Sequence, residues 1–148
     1  MVEVDRVEQI RNFKRLEQID AYKKWYKNIP DDLSDELNKK EIELFCESMN
    51  ARSALEYSFW EQVWHYEHFL SEKNKKKTYA RYTRRAVEDL GVKTFLENLI
   101  RKPETLGFKS LEEFNSLDIS YEQVLIKHSE EFDDDVIDRA NERLSKKD

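Results

Sequence analysis

Only two glycines and two prolines occur among the 148 residues, and there is a single cysteine. So little glycine excludes a phosphate-cradling loop and a dinucleotide fingerprint, both of which need several glycines at fixed spacing. Few turn formers disfavour a fold of many short strands. Cys46, alone, has no partner for an internal disulfide, and among apolar neighbours it reads as a small buried hydrophobe, which suits the cell interior. No apolar run approaches the ~18 residues of a membrane span. The N-terminal MVEVDRVEQIRNF has early acids and no apolar core, unlike a secretory signal. The expectation is a cytoplasmic protein without membrane contact. A Gly-x-Ser-x-Gly elbow is missing too. The sequence therefore points away from catalysis and calls for no cofactor.

What is abundant is charge and apolar surface in equal measure, 39% each, with a net charge of −6. That balance suits amphipathic helices. One all-α domain follows, a compact bundle of about seven to eight helices, with longer helices in the N-terminal half. A subdivision into 1–72 and 78–148 is the alternative, joined by a basic linker at 73–77.

The first segment spaces Val4, Val7, Ile10, Phe13, Leu16, Ile19, Tyr22 and Trp25 by three. Each step of three falls about 60° short of a turn, so the stripe winds around one long helix unless the chain breaks near Leu16. Pro30 ends this segment. A second helix is expected from Ser34 as N-cap, carrying Leu37, Ile42, Phe45, Cys46 and Met49. A third runs from about Asn50 to Ser71 with Leu55, Phe59, Val63, Tyr66, Phe69 and Leu70 on one face. Trp60 and Trp64 lie nearly opposite, either as an exposed partner-binding face or as a second core layer.

A fourth helix is expected over Thr78 to Leu90 with Tyr79, Tyr82, Ala86 and Leu90 inward, closed by Gly91. A fifth covers Val92 to Arg101. Glu104 to Lys109 reads as a loop. Capping boxes at Ser110-x-x-Glu113 and Ser120-x-x-Gln123 open two short helices that resemble a helix-turn-helix in outline. Ten acids and one lysine between 111 and 138 oppose duplex reading. The last helix begins near Asp133, with Val136, Ile137, Ala140 and Leu144 inward.

Three features bear on function. Lys73, Lys75, Lys76, Lys77, Arg81, Arg84 and Arg85 place seven positive charges within 73–85 without an acid, while the remaining chain carries −13. Guanidinium forks bind phosphate oxygens in pairs, and Tyr79 or Tyr82 could stack on an unpaired base, so the segment fits nucleic-acid phosphate with little sequence preference. The alternative is a protein–protein adaptor or inhibitor using the acidic C-terminal surface or the Trp60/Trp64 face. A second alternative is a metal-dependent activity: Glu61, His65, His68 and Glu72, spaced four, three and four apart, share a narrow helical strip with ligands for a divalent metal.

Overall fold

The computed structural model describes residues 5–145. It is all-α, and among the described residues there are nine α-helices and no strand. Among the described residues no helix is long and apolar enough to cross a membrane. The chain forms two compact units, Met1–Arg52 and Ser53–Asp148. That boundary falls just ahead of the helix that begins at Ala54.

In the first unit, α1 (Arg6–Arg11), α2 (Leu16–Trp25) and α3 (Asp31–Ser48) pack together. The threefold apolar spacing does break, between α1 and α2. The Asp5 carboxylate caps α1 by accepting from the Val7 and Glu8 amides. The Gln18 side chain accepts from the amides of Lys14 and Arg15, which opens α2. The break resets the helical phase, so that Ile10, Phe13, Ile19 and Tyr22 meet Leu33, Leu37 and Leu44 in one core. A continuous helix would have carried them around its axis. Val4, the first member of the spacing, lies outside the described residues.

Helix α3 starts four residues earlier than expected, with Pro30 and not Ser34 at the N-cap position. Pro30 holds extended backbone at φ −60° and its carbonyl accepts from the Ser34 amide. Ser34 therefore lies inside the first turn, beside Asp31 and Asp32 at the positive end of the helix dipole.

The second unit contains α4 (Ala54–Asn74), α5 (Arg81–Leu90), α6 (Val92–Arg101), α7 (Leu106–Glu113), α8 (Tyr121–Lys127) and α9 (Asp134–Ser145). Ser53 caps α4 through the Glu56 amide. Phe59 of α4, Phe95 of α6 and Tyr121 of α8 meet as a ring cluster with centroids 5.3–6.1 Å apart. Gly91 ends α5 and starts α6 at φ +84°, a conformation that strains any residue with a Cβ.

Two expectations in the C-terminal half are corrected. The stretch read as a loop at 104–109 is largely helix, because Thr105 caps α7 through the Phe108 amide and α7 buries Phe108 and Leu111. Gly107 lets α7 approach α4 closely, since a Cβ there would stand 2.5 Å from the Tyr66 hydroxyl. Ser110 thus lies within α7 and opens nothing. Helix α8 does begin at Tyr121, but the Ser120 hydroxyl makes no capping bond.

Candidate phosphate-binding surface

The basic segment is anchored at both ends. Helix α4 ends in a left-handed residue, Lys75, at φ 56°, and the Lys76 amide donates back to the Ser71 carbonyl. The Ser71 hydroxyl then accepts from the Thr78 amide at 2.8 Å, while Thr78 Oγ1 donates to the Lys76 carbonyl. Lys76 and Thr78 are therefore tied back to Ser71 of α4, and the lysines project from a defined turn.

The other anchor is Glu67, on α4 one turn beyond Val63. It is 8% exposed. Its Oε2 accepts from the Ala80 amide at 2.9 Å and from Arg84 Nε at 2.7 Å, and its Oε1 accepts from Arg84 Nη2 at 2.6 Å. This fork sets the rotation of α5. Ala80 and Arg84, four apart, must both face α4, and Thr83 and Val87 are buried with them.

The expected inward stripe of Tyr79, Tyr82, Ala86 and Leu90 is corrected by that rotation. Tyr82 is 75% exposed, and Tyr79 and Leu90 also reach solvent. While Arg81 and Arg85 stay exposed, Arg84 turns inward to Glu67. Its guanidinium also lies over the Tyr79 ring at 4.9 Å, with Lys77 Nζ 5.7 Å from the same ring.

The remaining charges divide clearly. Lys73 donates to Ser110 Oγ at 2.8 Å and approaches the Phe114 ring. Lys75, Lys76, Lys77, Arg81 and Arg85 are exposed, and none has an ion-pair partner among the described residues. Tyr82 sits between Arg81 and Arg85 in sequence and is the most exposed aromatic of this segment. Beyond Arg85 the sign reverses at the exposed Glu88 and Asp89.

The metal-ligating strip on α4 is not gathered: among the described residues, no three of Glu61, His65, His68 and Glu72 bring ligand atoms to metal distance. The Trp64 ring contacts both imidazoles. His68 stacks on it at 3.8 Å between centroids and places Nδ1 2.8 Å from the Trp64 carbonyl, while His65 meets it edge-on. Burial lowers the His65 pKa, favouring neutral imidazole. The acid–histidine group that does converge is His128, Glu130 and Glu131. There His128 Nε2 is engaged with Ser58 Oγ at 2.8 Å.

Trp60 and Trp64 are 4% and 8% exposed. Their burial favours the core-layer reading over an open partner face.

Two polar devices escape the sequence reading. Glu67 is one. The other is Arg143 of α9, which pairs with the buried Glu122 of α8 at 2.9 Å and also donates to the carbonyls of Leu99, Ile100 and Lys102. It thereby closes the C-terminus of α6. Burial raises the Glu122 pKa, with Arg143 opposing the rise. The available signal was a charge inside an apolar stripe: Glu67 continues the Phe59, Val63 spacing, and Arg143 the Val136, Ala140 spacing.

Compared with family models, with curated proteins and with solved structures, the chain matches none.

Proposed function

We propose that the unit Ser53–Asp148 binds single-stranded nucleic acid through its phosphates, with little sequence preference. The surface comprises the 75–77 turn and the outward face of α5. Lys75, Lys76, Lys77, Arg81 and Arg85 meet phosphates, and Tyr82 stacks on an unpaired base. One observation carries this reading: a largely exposed tyrosine is flanked by two arginines that have no ion-pair partner among the described residues. Charge with an adjacent open aromatic face is the combination that single-strand binders use. Tyr79 flanks this surface under Lys77 and Arg84, and Arg84, held by Glu67, serves as a positioning residue.

The test is fluorescence anisotropy with a labelled oligothymidylate over a range of salt. The triple variant Lys76→Glu, Arg81→Glu, Arg85→Glu should weaken binding and flatten the salt dependence, by about 0.7 in log–log slope for each phosphate contact removed. Tyr82→Ala should lose about 1–3 kcal/mol while leaving that slope intact. Absence of binding by the parent protein, or equal affinity of the triple variant, sinks the proposal.

A further inference from the structure

A cavity of about 480 Å³ opens within Ser53–Asp148, with walls from α4, α5, α6, α7 and α8. Its size falls in the range of small-molecule sites, ~300–1,000 Å³. Most of the lining is apolar, including Leu70, Phe95, Leu99, Phe108 and Leu111.

Three features distinguish it from a packing fault. Leu106 and Tyr82 both line it and are 85% and 75% exposed, so large apolar side chains stand where the wall meets solvent. Ser120 and Tyr121 also line it; the Ser120 hydroxyl is buried without a hydrogen-bond partner, and the buried Tyr121 hydroxyl has the Thr83 side chain as its neighbour. A buried hydroxyl without a partner is costly and uncommon in a native fold. Finally, the exposed guanidinium of Arg81 belongs to the same wall and has no ion-pair partner among the described residues.

We propose that this cavity binds a small amphipathic carboxylate: an apolar body of about ten carbons, carrying one further hydrogen-bonding oxygen, fills a site of this size. The apolar walls take the chain, Arg81 takes the carboxylate, and Ser120 and Tyr121 meet the second oxygen. The site borders the proposed phosphate surface and shares Arg81 and Tyr82 with it, while Lys75, Lys76, Lys77 and Arg85 lie outside its walls.

The probe is 10-hydroxydecanoate, with 1,10-decanediol as its uncharged counterpart, measured by calorimetry and by amide chemical-shift mapping. Saturable one-to-one binding is expected, with shifts centred on Tyr66, Leu99, Leu106 and Tyr121. Arg81→Ala should weaken the acid by about tenfold, the share of a charge-assisted contact, and leave the diol unchanged. Leu99→Trp, which fills the cavity, should abolish binding of both. Lys76→Glu combined with Arg85→Glu should leave both unaffected while reducing oligonucleotide binding, which separates the two proposals. Absence of saturable binding at millimolar acid overturns the inference. So does equal weakening of acid and diol by Arg81→Ala, or undiminished binding to a folded Leu99→Trp. Should that variant fail to fold, the shift map on the parent protein decides, and perturbations away from the cavity wall overturn it.

Discussion

In Met1–Arg52 charge pairs form on the outside, and in Ser53–Asp148 two of them are inside. Arg11 reaches Glu36 at 2.9 Å and Lys23 reaches Glu41 at 3.2 Å, with the cationic side chains 66% and 38% exposed and the carboxylate side chains 20% and 15% exposed. In the second unit, Glu122–Arg143 is almost fully enclosed and Glu67–Arg84 largely so. Solvent screens the first kind, and such pairs contribute little. The second kind dictates geometry, because a buried carboxylate tolerates only the arrangement that satisfies it. Glu67 sets the rotation of α5 and so chooses which charges reach solvent; Glu122 places the arginine that closes α6. The proposed phosphate surface and the cavity both belong to the unit whose helices are oriented by specific polar atoms.

The largest expected break of this contrast is Arg143→Ala. It strands Glu122 in the interior and leaves three α6-end carbonyls without their donor, so the second unit should lose about 3–5 kcal/mol of unfolding free energy. Arg11→Ala, removing an exposed partner, should leave the urea midpoint of the first unit essentially unchanged. Fluorescence of the buried Trp60 and Trp64 follows the transition of the second unit, and amide resonances of the buried Ile10 and Ile19 follow that of the first. Equal effects of the two substitutions would dissolve the distinction.

Glu67→Ala should come next, at about 2 kcal/mol, because it leaves the Ala80 amide and a partly buried guanidinium without their acceptor. Hydrogen exchange should then accelerate at Ala80 and through the first turn of α5. If the Ala80 amide stays protected, Glu67 is not what orients that helix.

Legibility in the sequence follows the same division. The all-α class and the α6 limits, Val92–Arg101, come directly from periodicity and punctuation. The break between α1 and α2 was an open alternative, since a spacing of three fits both a winding stripe and two re-phased helices. The face of α5 differs from the sequence expectation for a physical reason: apolar periodicity favours Tyr82 and Leu90, while the actual phase is set by a carboxylate on another helix. No local pattern within α5 encodes Glu67. Arg84 therefore looked like surface charge, and the cavity, assembled from five helices, had no linear signature at all. Lys75, Lys76, Lys77, Arg81 and Arg85 were legible because solvated charge needs no partner to be recognised.

Acid should move the two units in opposite directions at the corresponding glutamates. Burial raises the Glu122 pKa above its ordinary 4.5, so its contribution is fully present below that value and is lost as pH rises through the folded-state pKa. The hydrogen bond from Arg11 lowers the Glu36 pKa, so its contribution is present above 4.5 and is lost as pH falls through the lowered value. Between about pH 7 and about pH 4, stability relative to the glutamine variant should thus rise for Glu122 and shrink for Glu36. Melting curves of Glu122→Gln and Glu36→Gln against the parent protein read both slopes, and slopes of one sign would contradict the contrast.

The smallest effect concerns the left-handed residues that end α3 and α4, Asn50 at φ 61° and Lys75 at φ 56°. Asparagine tolerates this conformation better than lysine, whose Cβ crowds the following carbonyl. Lys75→Gly should raise the stability of the second unit by about 0.5 kcal/mol, the relief of strain being partly offset by the greater freedom of glycine in the unfolded chain. Asn50→Gly should do less for the first unit. The lysine has stood in a costly conformation, and under the proposed function it is retained for its charge. The same Lys75→Gly protein should therefore melt higher yet bind oligothymidylate more weakly, with the salt slope reduced by about 0.7. A variant that melts higher and binds unchanged would remove Lys75 from the phosphate surface and leave the turn with no functional reason to hold a lysine there.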